Sequence, residues 1–449
     1  MALGDEALWR DHLEQARWFQ GKGLPFHGMS VEPLEWYCAD GAYGDDDDEV
    51  RSAGQPPLGQ VWVRSELATV EAGGSASVYH LLVGYCPPGT GEPDALVGQV
   101  DLPGRGLTDV VDVPRSPLAM RVLLTSLAGR ESGDFEPNPP DSRPAMTWFE
   151  TPPDPDCPTK VFEGEQSNTT VLVGDSVLFK IFRKLSPGPN LESEVMTALS
   201  SCPIIPRLIG VLSAPEENVD LGIFCQRIPD ARDGWAYAIE ACQQGVSVSD
   251  EMQRLGETLR GLHASLAEVF PTSEIDSENI SAGMLDRLDT ACAQLPELRG
   301  HRNDLRSILT LPASTIPIQR LHGDFHLGQA LISPSGWTII DFEGEPLKSP
   351  EERCAPDSVW RDVAGLLRSL DYARSTHPYP ESFEAWEWYE NARAGFLRGY
   401  SSGTLPTTLL TAYEVDKAVY ELVYEVRNRP TWAGIPRRAI LSAISRREN

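Results

Sequence analysis

LHGDFHLGQALISPSGWTIIDFEGEP (residues 321–346) sets short charged loops beside apolar runs, and its reading decides the rest of the chain. TIPIQRL (315–321) leads in as an extended run, and residues 322–329 break into a loop holding His322, Asp324 and His326. SPSG (333–336) is a turn, and WTIID (337–341) reads as a strand ending at an acid, with Glu343 and Glu345 just beyond it. Loop and strand end therefore face each other across a hairpin.

Two carboxylates brought together in this way match the template of phosphoryl transfer. One Asp orients and deprotonates an attacking hydroxyl, and the other holds Mg²⁺ against the phosphates. Asp324 takes the first part and Asp341 the second. In the pattern H-x-D-x-x-x-x-N the residue five after the Asp is the second metal ligand, and here it is Gln329.

Such chemistry also needs a cation for the non-transferring phosphates and backbone donors to cover them. NTTVLVGDSVLFKIF (168–182) reads as two β-runs joined by Gly174 and Asp175, a two-residue hairpin with glycine first. Lys180 lies on the second run. GEQSN (164–168), ahead of the first, has small polar residues that let backbone N–H groups approach an anion. In LESEVMTALS (191–200), Glu194 sits on the helix that follows and is expected to pair with Lys180. Taken singly, Lys180 and Glu194 read as solvated surface charges; the order polar loop, strand Lys, helix Glu, H-x-D loop, strand-end Asp carries the assignment. His263, in LRGLHASL, reads as a packed helix histidine.

Two rivals come from other classes. His322, Asp324 and His326 have the H-x-D-x-H spacing of a metal-dependent hydrolase, but a binuclear site needs more imidazoles, and His12, His27, His80, His263, His301 and His377 form no second cluster. A non-catalytic nucleotide-binding scaffold is favoured only by Gln329.

Composition narrows the class further. The chain has 449 residues, 41% of them hydrophobic, enough for two or three domains with sizeable cores. A formal net charge of -28 repels phosphate backbones and anionic lipid, so neither nucleic acid nor membrane is an expected partner. MALGDEALWRD lacks the features of a signal peptide, no run approaches a membrane span, and the eight cysteines include no C-x-x-C pair; a cytoplasmic protein with reduced thiols is expected.

GAYGDDDDEVRSAGQPP (41–57) reads as a loop, and the proline-rich run 136–158 as a subdomain boundary. In DEMQRLGETLRGLHASLAEVF (250–270), Met252, Leu255, Leu259, Leu262, Leu266 and Val269 form the stripe of a helix packed on a core. β-rich early and helix-rich late, the chain has an α+β plan with two lobes.

GEQSNTTVL, LFKIFRKL, DGWAYA, LHGDFHLGQ, IDFEGEP, APDSVWRDVAGLLRSLDYA and YELVYEVRNRPTW strongly resemble the actinobacterial maltokinases, members of the aminoglycoside-phosphotransferase group. ARWFQGKG (16–23) looks like that family's N-terminal signature. The resemblance covers most of residues 160–440 and is thinner over 24–155. It implies a bilobal protein-kinase-like fold: residues 1–135 as an N-terminal cap and start of the N-lobe, 136–160 a connection, 161–226 the nucleotide-binding part of a β-rich N-lobe, and 227–449 a mostly helical C-lobe.

By the same resemblance ATP meets Ser167, Asn168, Thr169, Lys180 and Glu194, with Gln226 and Ile228 in the hinge FCQRIP (224–229). Asp324 is the catalytic base, Gln329, Asp341 and Glu343 the Mg²⁺ ligands, and His322 and Asp362 structural support. The helical run 409–430 places Lys417, Tyr420, Glu421 and Tyr424 on one face, which pattern alone reads equally as solvated or as sugar-binding. Family position favours sugar, with Asp324, His326, Tyr420, Glu421, Glu425, Arg429 and Trp432 around it. Glucosamine phosphorylation, at the 6-hydroxyl, is preferred to maltokinase activity giving maltose 1-phosphate or to aminoglycoside phosphorylation. A monomer or weak homodimer is expected.

Overall fold

Gly73 and Gly74 both adopt positive φ, 61° and 84°, and close a two-residue hairpin in which Ala72 faces Ser75. Only glycine takes two such residues in succession without strain, and this mirror-image turn matches the twist of the strands it joins. The computed structural model describes residues 6–37, 60–102, 105–129, 144–162, 167–345 and 348–448. The acidic stretch 41–57, part of the proline-rich run, and Gly164, Glu165 and Gln166 of the polar loop lie outside these. The chain divides into two compact units: Met1–Thr197 with Arg207–Arg227, and Ala198–Pro206 with Ile228–Asn449.

The first unit is β-rich. In chain order it comprises α1 (Glu6–Gln15), β1 (Phe26–Trp36), β2 (Trp62–Ala72), β3 (Ser75–Cys86), β4 (Leu96–Leu102), β5 (Gly106–Asp112), α2 (Pro117–Ala128), β6 (Ala145–Trp148), β7 (Thr159–Val161), β8 (Thr169–Val173), β9 (Val177–Ile181), β10 (Lys184–Leu185), α3 (Leu191–Ala198), β11 (Leu208–Ala214) and β12 (Val219–Gln226). One antiparallel sheet runs β1-β2-β3-β5-β4, with β10 added beside β3; the other runs β6-β11-β12-β9-β8-β7. Trp9, Leu13, Trp18 and Phe19 pack on the first sheet against Tyr79, Leu81 and Val83. Burying each such side chain is worth about 1.5–3 kcal/mol. Ser116 caps α2 by accepting from the Ala119 N–H.

Two local expectations change here. Val173 pairs with Val177, so the β8–β9 connection has three residues, Gly174 to Ser176, with Gly174 at φ 59°. The proline-rich run is not merely a connection: β6 lies within it and pairs with β11, its prolines falling outside the strand.

The second unit is mostly helical: β13 (Arg232–Asp233), α4 (Gly234–Gln244), α5 (Ser249–Val269), β14 (Ser273–Asp276), α6 (Ser277–Gln294), α7 (Arg302–Leu309), β15 (Thr315–Ile318), β16 (Ala330–Ser333), β17 (Gly336–Ile339), α8 (Pro350–Cys354), α9 (Trp360–Arg374), α10 (Phe383–Tyr400), α11 (Thr407–Asn428) and α12 (Gly434–Glu448). Met252, Leu255, Leu259, Leu262 and Leu266 of α5 are fully buried, whereas Val269, its last residue, is exposed. Gly256 of α5 and Gly395 and Gly399 of α10 let the two helices meet backbone to backbone; a Cβ on Gly399 would collide with the Gln253 carbonyl oxygen. No described helix is long and apolar enough to cross a membrane, and no described cysteine is in a disulfide. The architecture is α+β.

Candidate active site

The β16–β17 hairpin brings Gln329 and Asp341 together. Its two-residue turn pairs Ala330 with Ile339, and one step further out the Ile340 N–H donates to the Gln329 carbonyl. Residues 329 and 341 are therefore neighbours by register, and the Gln329 amide donates to Asp341 Oδ2 at 3.0 Å. Asp341 stands at φ 67°, a conformation unusual for a side chain other than glycine and one that persists only where the surroundings impose it.

Asp362, 1% exposed near the start of α9, holds the preceding loop. It accepts from the backbone N–H groups of His322 (2.9 Å) and Gly323 (3.0 Å) and meets His263 Nε2 at 3.0 Å. Burial opposes its ionisation, but the His263 hydrogen bond and neighbouring positive groups keep its carboxyl below the usual range. His263 completes the chain to the Tyr400 hydroxyl at 2.8 Å. It is a packed, hydrogen-bonded helix histidine.

The H-x-D-x-H histidines do not converge as metal ligands. His322 Nε2 meets the Ile340 carbonyl, its Nδ1 faces the Asp324 N–H, and His326 Nδ1 accepts from Gly328. Burial holds the His326 imidazole below its ordinary pKa. Backbone groups thus occupy three of the four ring nitrogens, which removes the basis for the hydrolase reading.

Asp324 opens into a cavity of about 380 Å³, lined also by Glu345, Asp357, Arg361, Asp416, Lys417 and Tyr420. Glu345, 6% exposed, binds three cations: Lys417 at 2.6 Å, Lys348 at 2.7 Å and Arg361 at 2.9 Å. Burial alone would raise its pKa, but those cations outweigh it and hold the carboxylate ionised. Lys417 also reaches Asp324 Oδ1 at 3.3 Å. Burial disfavours its charge, yet Glu345 and Asp324 prevail and raise the pKa, so the side chain is an ammonium. Seven acids and four bases line this cavity.

The expected sugar-binding residues separate into two places. Asp324 and Tyr420 line the cavity. Glu421 is held by Arg368 at 2.9 Å; Glu425, 1% exposed, is held by the Tyr372 hydroxyl and by Arg429; and Trp432 stacks on Tyr372. Burial raises the Glu421 pKa. Lys417 turns to Asp324 and Glu345 rather than to Glu421, four positions along its own helix.

In the first unit, Lys180 pairs with Glu192 at 2.6 Å. Glu194, named for that part from sequence, is exposed; two residues turn a helix through about 200°, so the acids point apart. Asn168 and Thr169 give their side-chain oxygens to the Arg183 N–H and guanidinium, Ser167 is exposed, and Gln226 ends β12 with its side chain on Arg207. Ile228 opens the second unit's main segment. Glu343, past the strand end, gives its carbonyl to Arg353. Sequence reading foresaw neither the Lys180–Glu192 pair nor the Lys417–Glu345 pair, although it had placed Lys417 on the helix face it singled out and Glu345 just beyond the strand end.

The phosphotransferase enzyme family matches residues 158–399, more than half the chain. The chain is 28% identical over 310 residues to the glucosamine kinase of Streptacidiphilus jiangxiensis, covering 61% of this chain and 70% of that one. It is 26% identical over 309 residues to the glucosamine kinase of Mycolicibacterium smegmatis, covering 62% and 77%. A solved glucosamine kinase in complex with glucosamine, ADP and inorganic phosphate has the same fold, with a TM-score of 0.63, 19% identity, and coverage of 98% of this chain and 99% of that one.

Proposed function

The chain belongs to the phosphotransferase enzyme family, and from that premise we propose that it phosphorylates glucosamine with ATP, giving glucosamine 6-phosphate. The single observation that carries the choice of sugar is the acid-rich cavity beside Asp324. An amino sugar is a cation at neutral pH, and an excess of carboxylates favours it over a neutral sugar. The glucosamine kinases it resembles support the same choice. Maltose, which is uncharged, has nothing to match that excess.

Asp324 accepts the proton of the attacking hydroxyl as its oxygen bonds to the γ-phosphorus; the bond to the β–γ bridging oxygen breaks, and ADP leaves with the electron pair. Asp362 keeps the loop backbone in place, so that Asp324 meets the hydroxyl in one geometry. Lys180, fixed by Glu192, supplies the cation for the non-transferring phosphates. Gln329, Asp341 and Glu343 offer only oxygen donors, the set that suits Mg²⁺, and would hold it there. Bound Mg²⁺ neutralises charge on the phosphate oxygens.

Glucosamine, glucose, maltose and an aminoglycoside should be compared with ATP and Mg²⁺ by ADP release and product mass. Glucosamine is expected to exceed each of the others in kcat/KM by at least about tenfold, the worth of roughly 1.4 kcal/mol. A preference for maltose would overturn the assignment.

A further inference from the structure

Asp324 has two carboxylate oxygens, and the structure treats them differently. Oδ1 meets the Lys417 ammonium at 3.3 Å; Oδ2 makes no hydrogen bond among the described residues. Lys417 is itself fixed from behind by Glu345, at 2.6 Å, and lies over the Tyr420 ring at 5.3 Å. Glu345 in turn is anchored by Lys348 and by Arg361, which also donates to the Gly323 carbonyl in the Asp324 loop. One buried carboxylate thus ties α9, α11 and the catalytic loop into a single ionic cluster.

Building on the kinase reading above, we propose that Lys417 is a positioning residue that dedicates Asp324 Oδ1 to itself and leaves Oδ2 as the oxygen that takes the acceptor's proton. A carboxylate turning freely about its last torsion presents either oxygen at many angles, whereas one pinned at Oδ1 presents the other in a single direction. The His-x-Asp loop carries no lysine of its own: the two residues after Asp324 are Phe325 and His326. Helix α11 brings the charge from 93 positions further along the chain.

The test compares Lys417→Met, Lys417→Arg and Asp324→Asn in the full-length protein, with glucosamine and ATP, reading kcat, KM for ATP and melting temperature. Lys417→Met is expected to lower kcat by about 100-fold with KM for ATP within about twofold, because the nucleotide is held elsewhere. Lys417→Arg should restore at least about tenfold of that loss, since it returns a charged donor. A Lys417→Met enzyme with kcat within threefold of the parent overturns the proposal, as does an Arg variant no better than Met. If Lys417→Met does not fold, Lys417→Met/Glu345→Gln, which removes one charge of each sign, is read by the same thresholds. Asp324→Asn separates the two levels: if it stays active, the kinase reading fails; if it is inactive while Lys417→Met keeps its kcat, only the role of Lys417 fails.

Discussion

Asp362 shows how much can rest on one carboxylate. Its oxygens satisfy two backbone N–H groups and a histidine, with Gly323 alone partly exposed. Asp362→Ala leaves those groups without an acceptor, and the expected loss is about 3–5 kcal/mol, seen as a lower denaturation midpoint with an unchanged slope. A midpoint within about 0.5 kcal/mol of the parent would show that the loop holds itself. The meeting of Gln329 with Asp341 was legible in the sequence because one short hairpin separates them, whereas Asp362 was named only through the family resemblance, and its hold on the loop backbone joins residues about 40 positions apart. Lys417 and Glu345 were not legible as a pair, being 72 positions apart with no local pattern to join them. Glu192 was missed for another reason. A helix of eight residues does not declare from its sequence which of two nearby acids faces the strand lysine.

Among elements, α5 was the clearest in the sequence and α10 its least visible counterpart. The leucine stripe of α5 announces a buried face, but Gly256, Gly395 and Gly399 look like weak points until the helices are seen touching through them. Close approach of two backbones requires residues without Cβ at the crossing, and glycine's entropic cost in a helix is then offset by tighter packing. Gly399→Ala would drive a methyl group into the Gln253 carbonyl and is expected to destabilise the protein by about 1–3 kcal/mol, whereas helix propensity alone would predict a gain of roughly 1 kcal/mol. Thermal melts of the variant give the sign directly. The three-residue β8–β9 connection escaped prediction because glycine followed by aspartate suits either loop length.

For the whole molecule, the α+β class followed from the shift in periodicity along the chain, but the extent of the second sheet did not, since β6 sits among prolines. Acid stability is another property of the whole. His80 is fully buried between Ser65 and the Phe182 carbonyl, and burial holds its pKa at about 3, below the usual 6.5. Unfolding releases that constraint, so between pH 6.5 and 3 the unfolded chain binds the extra proton and stability falls as the pH falls. From pH 7 to 5 the loss from His80 should reach about 2 kcal/mol, measurable as a falling denaturation midpoint. A flat midpoint across that range would show that the imidazole is not kept neutral.

β3 is twelve residues long, and its outer edge is shared: Val83 to Cys86 pair with β5, while Val78 and Tyr79 pair with Leu185 and Lys184 of β10. Arg183, next to β10, reaches back to the His80 carbonyl 103 positions earlier. During synthesis, half of that edge stays open while about a hundred further residues leave the ribosome. The first sheet is therefore finished only after the strand bearing Lys180 exists, so a nascent chain acquires its complete N-terminal sheet and its β8–β9 hairpin together.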